Sequence, residues 1–333
     1  MISRSDLNTV VSTQASLFGI CLLAQAGVSD LSAQTGPQFS RVQPITNSEI
    51  ALTLSGQPGT FYRIDSATDL GLWQAMATLG SGASSSIQYT DSATPFLAGR
   101  FYRAEQLADT NVFTGDYLST TNGDIVMQPV VHATLVLYWQ GKTIFVDPTN
   151  SVAPVGVPKA DLVLVTHAHP DHFNAGAING IRATNALIIT SQDVYNQLAF
   201  AQRPLARVLG YGSTTNVLGL DVQAVPAYNS NHPFGLGNGY LLTIGGKRIF
   251  ISGDTGNTPE MRALTNIDLA FVCMNQPFTM TVVDATNAVT AFRPKVVYPY
   301  HYRDSNGTAT NAAAFKARLT PELGIEVRLR KWY

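Results

Sequence analysis

The chain is poor in cysteine, in charged residues and in long apolar runs. It contains 2 cysteines and 13% Asp, Glu, Lys and Arg among 333 residues, and its formal net charge is −1. A charge balance so close to zero, without a basic run, argues against a protein that binds nucleic acid through its electrostatic field. The sequence also lacks a P-loop and a dinucleotide-binding fingerprint, which argues against a nucleotide-dependent enzyme.

The first 33 residues have the pattern of a secretory leader. Arg4 precedes a short apolar stretch at 15–24, and the small-residue pattern of a cleavage site follows at 31–33, as in signal peptides. A membrane-spanning helix needs roughly 20 apolar residues, so this stretch is too short to cross a bilayer. We therefore expect an exported protein, periplasmic or extracellular, without a membrane span in its mature chain. A plain N-terminal helix on a cytoplasmic protein is the alternative.

Cysteine usage agrees with export. Removal of the leader takes Cys21 with it and leaves Cys273 alone, so the mature chain has no intramolecular disulfide. Cys273 lies in the apolar run 269–274, and the sequence around it contains neither a helix start nor a cationic neighbour that would lower the pKa of its thiol. We expect a buried structural thiol here rather than a nucleophile.

Residues 34–110 have the pattern of a small all-β module. Short alternating runs are separated by Gly, Pro, Ser and Asp, and a two-residue period with frequent turns is typical of strands. Their motifs are loosely similar to a β-sandwich module of exported bacterial proteins. Phe61, Trp73 and Phe101 are predicted to pack in its core, with a ligand-binding face as the alternative, and no residue of this module is expected to be catalytic.

From residue 111 onward, strands alternate with helices. A hairpin is predicted from Val131 to Val146, and the continuous apolar run 162–166 predicts a buried strand. The predicted helices are 175–181, 192–199, 282–292 and 311–319. Many strands interleaved with helices favour a layered α/β fold for residues 111–333.

Three of the 6 histidines lie within one heptapeptide, Thr166 to His172, which also contains Asp171. Three imidazoles and a carboxylate so close together are poorly explained by packing. Neutral imidazole nitrogen and carboxylate oxygen are, however, the usual ligands of zinc and neighbouring transition metals. Because the predicted strand 162–166 leads directly into this heptapeptide, the sequence predicts a metal centre at the end of a strand, and with it a metallohydrolase.

Further candidate ligands follow the heptapeptide in an ordered series, each in a segment that reads as the end of a strand. With them, residues 115–333 resemble the metallo-β-lactamase superfamily, whose fold is a four-layer αββα sandwich of two sheets flanked by helices. The residues that match its ligand pattern are His167, His169, Asp171, His172, His232, Asp254 and His301.

The resemblance implies two divalent metal ions, zinc first, with manganese or iron as alternatives. The implied ligand sets are His167, His169 and His232 for one ion, and Asp171, His172 and His301 for the other, with Asp254 bridging both. Two such ions hold a bridging water and lower its pKa towards neutrality, so that hydroxide attacks a carbonyl or phosphoryl centre. A purely structural zinc is disfavoured because it normally takes four ligands.

Other site residues are weaker candidates. His132 lies in the segment 131–135, which resembles a first-strand motif of a lactonase-like branch of the superfamily. In that branch a histidine at this position lies near the metals. A catalytic role for His132, with Asp171 helping to move protons, and a plain hydrogen-bonded histidine at a strand start stay equally open. Tyr228, Asn275 and Tyr300 are candidate substrate contacts, with packing as the alternative for the tyrosines.

The bond that is cleaved stays open at this point. Ester, lactone and phosphodiester hydrolysis of a small molecule all fit a dinuclear centre. A β-lactam hydrolase is an alternative, although β-lactamases generally lack an acid at the position of Asp254, and an iron-dependent oxidoreductase on the same fold is another. Asp147, which ends the predicted hairpin, is expected either to orient a histidine ligand or to cap a turn.

Overall fold

The computed structural model describes residues 11–14, 20–21, 37–46, 49–68, 72–93, 99–109, 112–150, 152–154, 156–303 and 308–330. The chain divides into two compact units, Met1–Ser119 and Thr120–Tyr333.

Strands are the only regular elements among the described residues of the first unit, as the sequence predicts. They are β1 (Val11–Gln14), β2 (Ile20–Cys21), β3 (Gln38–Thr46), β4 (Glu49–Ser55), β5 (Phe61–Ala67), β6 (Gln74–Gly80), β7 (Ser86–Asp91), β8 (Gly99–Leu107) and β9 (Gly115–Leu118). Within this unit β9, β6, β5, β8, β1 and β2 lie side by side in that order, and β3, β4 and β7 form a separate sheet. The unit extends to Ser119 because β9 pairs with β6. The domain boundary predicted after residue 110 stays a prediction.

Burial in the first unit follows the two-residue period of its strands. Along β4 every second side chain is buried, Leu52 among them, because successive side chains of a strand point to opposite faces. By the same rule Tyr62 is buried in β5 while its neighbour Phe61 is half-buried. Trp73 and Phe101 are also half-buried, so these predicted core aromatics lie at the edge of the core rather than inside it.

Most of the predicted leader lies outside the described residues. Of its 33 positions only β1 and β2 are described, and β1 pairs antiparallel with β8. Export, and removal of the leader, stay predictions. Across the described ranges, no helix combines the length and the apolar character that crossing a membrane requires.

The second unit alternates strands with short helices. Its strands are β10 (Ile125–Val131), β11 (Thr134–Trp139), β12 (Lys142–Val146), β13 (Ala160–Val165), β14 (Arg182–Thr190), β15 (Ala206–Val208), β16 (Thr214–Val217), β17 (Leu220–Ala227), β18 (Gly237–Ile244), β19 (Lys247–Ile251), β20 (Leu269–Cys273), β21 (Val296–Tyr300) and β22 (Glu326–Val327). Its α-helices are α1 (Ala175–Ile181), α2 (Gln192–Gln197), α3 (Pro259–Arg262), α4 (Val282–Phe292) and α5 (Ala312–Arg318), and 3-10 turns occur at Arg203–Leu205 and Pro321–Leu323.

The helices begin where the sequence supplies a cap. Ser191, Thr281 and Asn311 each accept a hydrogen bond from a backbone N–H of the first turn of α2, α4 and α5, which satisfies a donor that the helix itself cannot pair. Helix α4 has the predicted bounds, and its buried face includes Val289 and Phe292. The predicted helix 192–199 is shorter, because Leu198 turns to an extended conformation.

Two mixed sheets form the centre of the second unit. Strands β15, β14, β13, β12, β11 and β10 are neighbours in that order, and β16 to β22 follow one another in sequence in the other sheet. The sheets face each other, because the buried Tyr240 hydroxyl of β18 donates to the carbonyl of Val165 at the end of β13 at 2.7 Å. With helices on the outside, this is the αββα sandwich that the sequence predicts.

The predicted hairpin has a different start. β10 pairs with β11 through the register Val131↔Thr134, so His132 and Ala133 form the two-residue turn between these strands. His132 has a backbone φ of 55°, in the left-handed region that few non-glycine residues adopt, histidine being among the more tolerant. His132 is therefore in a turn that projects from the sheet, and not at the start of a strand.

Gly239 is expected to be irreplaceable in β18. A Cβ atom at this position would lie 2.8 Å from the Ser252 carbonyl oxygen and 3.0 Å from that of Ile251, and backbone cannot yield as a side chain does. Gly239→Ala should lower the free energy of unfolding by about 1–3 kcal/mol, the usual cost of overpacking. Gly210→Ala is the control, since a Cβ there meets no atom within 4 Å. Equal urea midpoints for the two variants would contradict the expected close approach.

Candidate metal centre

The candidate ligands lie at the ends of strands from both sheets. His167, His169, Asp171 and His172 follow β13, and His132 occupies the turn between β10 and β11. In the facing sheet, His232, Asp254 and His301 come after β17, β19 and β21. Because the two sheets face each other, these loops meet at one edge of the sandwich, and residues up to 169 positions apart in sequence come together there.

The structure brings all seven predicted ligands together, and adds His132. Three groups, two of which share His167, each have ligand atoms that all lie within 4.8 Å of one another. They are His167, His169 and His232; His167, His172 and Asp254; and His132, Asp171 and His301. The first group is the first ligand set implied by the sequence, and the third contains two members of the second set.

Asp254 lies between the two implied sets. Its Oδ1 is 3.3 Å from Nε2 of His301 and 3.4 Å from Nε2 of His172, while its Oδ2 is 3.4 Å from Nε2 of His232. The side chain is 3% exposed. Each carboxylate oxygen therefore faces imidazole nitrogens of a different set, which is the arrangement expected of a bridging ligand.

The buried charges at this centre are strongly coupled. Burial alone would raise the pKa of Asp254. His301 and His172 together lower it by a larger amount, so the net pKa lies well below the ordinary value. Burial, with the nearby His172 charge, holds the pKa of His167 well below its usual value. The site thus holds a carboxylate together with a neutral imidazole, which are the forms that bind a metal ion.

Asp147 orients two of the histidines. Its Oδ2 accepts a hydrogen bond from Nδ1 of His172 at 2.7 Å and another from the Thr166 hydroxyl at 2.7 Å, and its Oδ1 accepts from the Thr166 backbone N–H. The Thr166 hydroxyl in turn lies 3.0 Å from Nδ1 of His167. Both imidazoles therefore donate from Nδ1 and turn Nε2 to the centre. Asp147 therefore orients a histidine ligand, which is one of the two roles predicted for it.

Asn229 holds His232 in the same way. Its Oδ1 accepts from Nδ1 of His232 at 3.0 Å and also from the backbone N–H groups of Asn231 and His232. Its Nδ2 donates to the carbonyl of Phe278 at 3.0 Å. The tautomer of His232 is thus fixed by a residue three positions earlier, and the loop that carries it is tied to the segment after β20.

His132 contacts the exposed side of the centre. Its Nε2 is 3.0 Å from Oδ2 of Asp171, and its ring centroid is 3.7 Å from that of His301. The Asp171 side chain is 47% exposed, in contrast to the buried Asp254. The structure therefore places the two predicted catalytic residues in direct contact at the solvent edge of the site.

The predicted substrate contacts have other neighbours. The Tyr300 hydroxyl is buried and accepts the backbone N–H of Gly253 at 3.0 Å. The Tyr228 hydroxyl donates to Oε2 of Glu260 at 3.1 Å, and Asn275 is buried at the end of β20. For all three, a role in substrate binding stays a prediction.

Two buried ligand atoms are suited to binding a cation. Among the described residues, Nε2 of His167 and Oδ1 of Asp254 have no hydrogen-bond partner. A buried acceptor without a donor costs about 1–3 kcal/mol, and more when it is charged. Lone pairs that converge in this way are compatible with bound metal ions, and the donor set of imidazole and carboxylate suits zinc and its neighbours.

Cys273 is separate from this chemistry. The thiol is buried at the end of β20, and burial, with the Asp254 charge, raises its pKa to about 11. A neutral, buried thiol is a poor nucleophile, so the predicted structural role agrees with its position.

A cleft of about 350 Å³ opens on the first ligand set. Its lining includes Asp193, an acidic residue that the sequence does not identify as part of the site. Asp193 lies in the first turn of α2, directly after β14. Since β14 is parallel to β13, with Thr190 opposite Val165, the segments that follow the two strands leave the sheet side by side. A strand order predicted from sequence would have identified Asp193.

Known proteins are similar to this chain in sequence and in fold. A family model described as a beta-lactamase superfamily domain matches residues 126–301. A UPF0173 metal-dependent hydrolase of Ligilactobacillus salivarius is 34% identical over 183 residues, which is 51% of this chain and 82% of that protein. A crystal structure from Parabacteroides distasonis, assigned as a metal-dependent hydrolase, has 36% identity and a TM-score of 0.60 over 66% of this chain and 100% of the other. Igni18, a metallo hydrolase of Ignicoccus hospitalis, has 24% identity and a TM-score of 0.53 over 62% and 94% of the two chains, and supports the fold.

Proposed function

The chain belongs to the beta-lactamase superfamily and is a metal-dependent hydrolase, and on this premise we propose that it uses two divalent ions to hydrolyse an ester, lactone or phosphodiester bond of a small molecule. Zinc is the first candidate for both ions. One observation carries the proposal: both carboxylate oxygens of the buried Asp254 face imidazoles, His232 on one side and His172 and His301 on the other. A site for one ion would not need a carboxylate in that position.

The residues divide by position. His167, His169 and His232 would hold one ion, Asp171, His172 and His301 the other, and Asp254 would contact both. When bound, such ions lower the pKa of a shared water and polarise the bond under attack.

The surrounding residues hold two of the histidine ligands in a fixed orientation. Asp147 and Asn229 keep the proton of His172 and His232 on Nδ1, so that Nε2 stays available. Such partners are typically worth 10–100-fold in metal affinity or activity. His132 donates from Nε2 to Asp171, and we assign to this half-exposed pair the movement of protons between the site and solvent.

His169→Ala tests the proposal most directly, because the His169 side chain is exposed and its loss leaves the core intact. We expect turnover to fall by more than about 100-fold, beyond the usual loss for a residue that only supports a ligand, and the metal content to fall below two ions per chain. Metal analysis of the purified protein and a panel of lactones, aryl esters, phosphodiesters and β-lactams provide the measurement.

Asp221→Asn is the matched control, because Asp221 is exposed at the start of β17, the strand whose other end leads to His232. It should leave turnover and metal content unchanged. Stoichiometric iron with an optical absorption band, and no hydrolysis of any compound, would contradict a hydrolase and favour an oxidoreductase.

A further inference from the structure

The cleft beside the first ligand set has apolar walls. Besides metal-site residues, its lining is mostly apolar and consists of Ala168, Ala227, Pro233, Leu236 and Gly237, with Asn238 and Asp193 as the polar members. The cleft therefore fits a substrate that has an apolar part beside the bond to be cleaved.

The side chains that line the cleft outside the metal site are unsuited to binding an anion. Outside the metal-site residues, Asp193 is the charged lining residue of the cleft, and among the described residues neither lysine nor arginine lines it. Phosphate and carboxylate groups are usually recognised by arginine or lysine, which pair with their oxygens. A phosphodiester in this cleft would depend on the metal ions alone to balance its negative charge, and Asp193 would oppose its binding.

The loop that carries Leu236, a lining residue of the cleft, is apolar and held in place. Phe234 is 63% exposed and Leu236 45% exposed, and Phe234 packs edge-on against the rings of Tyr211 and Tyr228 at 4.9 and 5.1 Å. The Tyr211 hydroxyl accepts the N–H of Gly235 and donates to the carbonyl of Gly237. Exposed apolar side chains grouped at a site commonly mark a binding surface, and this one is fixed by hydrogen bonds on both sides of Leu236.

We propose that the substrate is a small uncharged carboxylic ester or lactone, whose apolar acyl part lies along Pro233 and Leu236. The inference rests on the proposed function and selects among its three bond types. In the reaction, water adds to the acyl carbon, the acyl C–O bond breaks, and a water proton passes to the alcohol oxygen. An ester thus gives an acid and an alcohol, and a lactone gives a hydroxy acid.

The test compares 4-nitrophenyl acetate, butyrate and hexanoate with bis(4-nitrophenyl) phosphate on the metal-replete protein, with the His169→Ala rate subtracted as background. We expect kcat/KM to rise about 4-fold for each CH₂ group until the cleft is filled. The diester should react more slowly than any of the esters. Leu236→Asn should flatten the dependence on chain length. Val283→Asn is the control, because Val283 is also 45% exposed but does not line the cleft.

Asp193→Lys tests the charge of the cleft independently of its apolar lining. It should raise kcat/KM for the diester at least 10-fold relative to that for butyrate, while Asp193→Asn should have a smaller effect in the same direction. A diester cleaved faster than the esters by the unmodified protein, or a length dependence that Leu236→Asn does not change, would overturn the inference and leave the proposed hydrolase intact. Turnover of none of these four compounds, and of none of the lactones in the panel above, with both ions bound would refute the proposed function and this inference with it.

Discussion

Asp254→Asn is expected to abolish hydrolysis and to remove at least one metal ion per chain. The substitution keeps the shape of a buried side chain but replaces an oxygen and the negative charge by an NH₂ group, which cannot bind a cation. Because Asp254 faces both ligand sets, its loss affects both ions, and turnover should fall by more than the roughly 100-fold typical of supporting residues.

The measurement pairs steady-state turnover with metal content after dialysis against excess zinc. Asp268→Asn is the matched control, because Asp268 is also a buried carboxylate of this unit but pairs with Lys295, whose Nζ is 2.8 Å away. The control should cost stability and leave metal content and kcat unchanged. An Asp254→Asn protein that keeps two ions and full turnover would exclude the bridging role.

Asp147→Ala is expected to give the largest loss of stability. The Asp147 carboxylate is fully buried and accepts hydrogen bonds from the Thr166 backbone N–H, the Thr166 hydroxyl and Nδ1 of His172. Buried donors without an acceptor cost about 1–3 kcal/mol each. The left-handed backbone at Asp147, with φ of 45°, also disfavours alanine. We expect the free energy of unfolding to fall by about 3–5 kcal/mol, measured by urea denaturation in the presence of a chelator.

Asp147→Asn separates the two roles of this residue. Asparagine tolerates the left-handed backbone and keeps an oxygen for the Thr166 N–H. Its NH₂ group, however, donates to Nδ1 of His172 and moves the imidazole proton to Nε2. This variant should fold but bind metal 10–100-fold more weakly. Asp161→Asn is the control, because Asp161 accepts only the backbone N–H of Thr143 among the contacts described for it. Unchanged metal affinity in Asp147→Asn would mean that His172 is not oriented by Asp147.

The candidate metal centre was predictable because metal binding requires particular residue types, which can be recognised in the sequence. His167, His169 and Asp254 have few structural reasons to occur at strand ends, so their spacing already indicates ligands, and the structure brings them together. Helix α4 was predictable as well, since its apolar face has a 3.6-residue period.

The cleft could not be predicted in the same way. Asp193 lines it only because β14 lies parallel to β13, and strand order is a long-range property that local periodicity does not contain. Tyr300 illustrates the opposite failure: it adjoins a ligand in sequence, but alternation along β21 turns its hydroxyl inward to Gly253. Neighbours in sequence are therefore poor guides to neighbours in the site.

The left-handed backbone at His132, Asp147 and His301, with φ of 55°, 45° and 46°, limits how this enzyme can be redesigned. Histidine, aspartate, asparagine and glycine tolerate this conformation, whereas β-branched residues are strongly disfavoured there. In a saturation library at these three positions, folded variants should be enriched in asparagine and glycine and depleted of valine and isoleucine, before any selection for activity. The backbone thus narrows the possible side chains at the metal centre, and new specificities are more accessible through Leu236 and Asp193 than through the ligands.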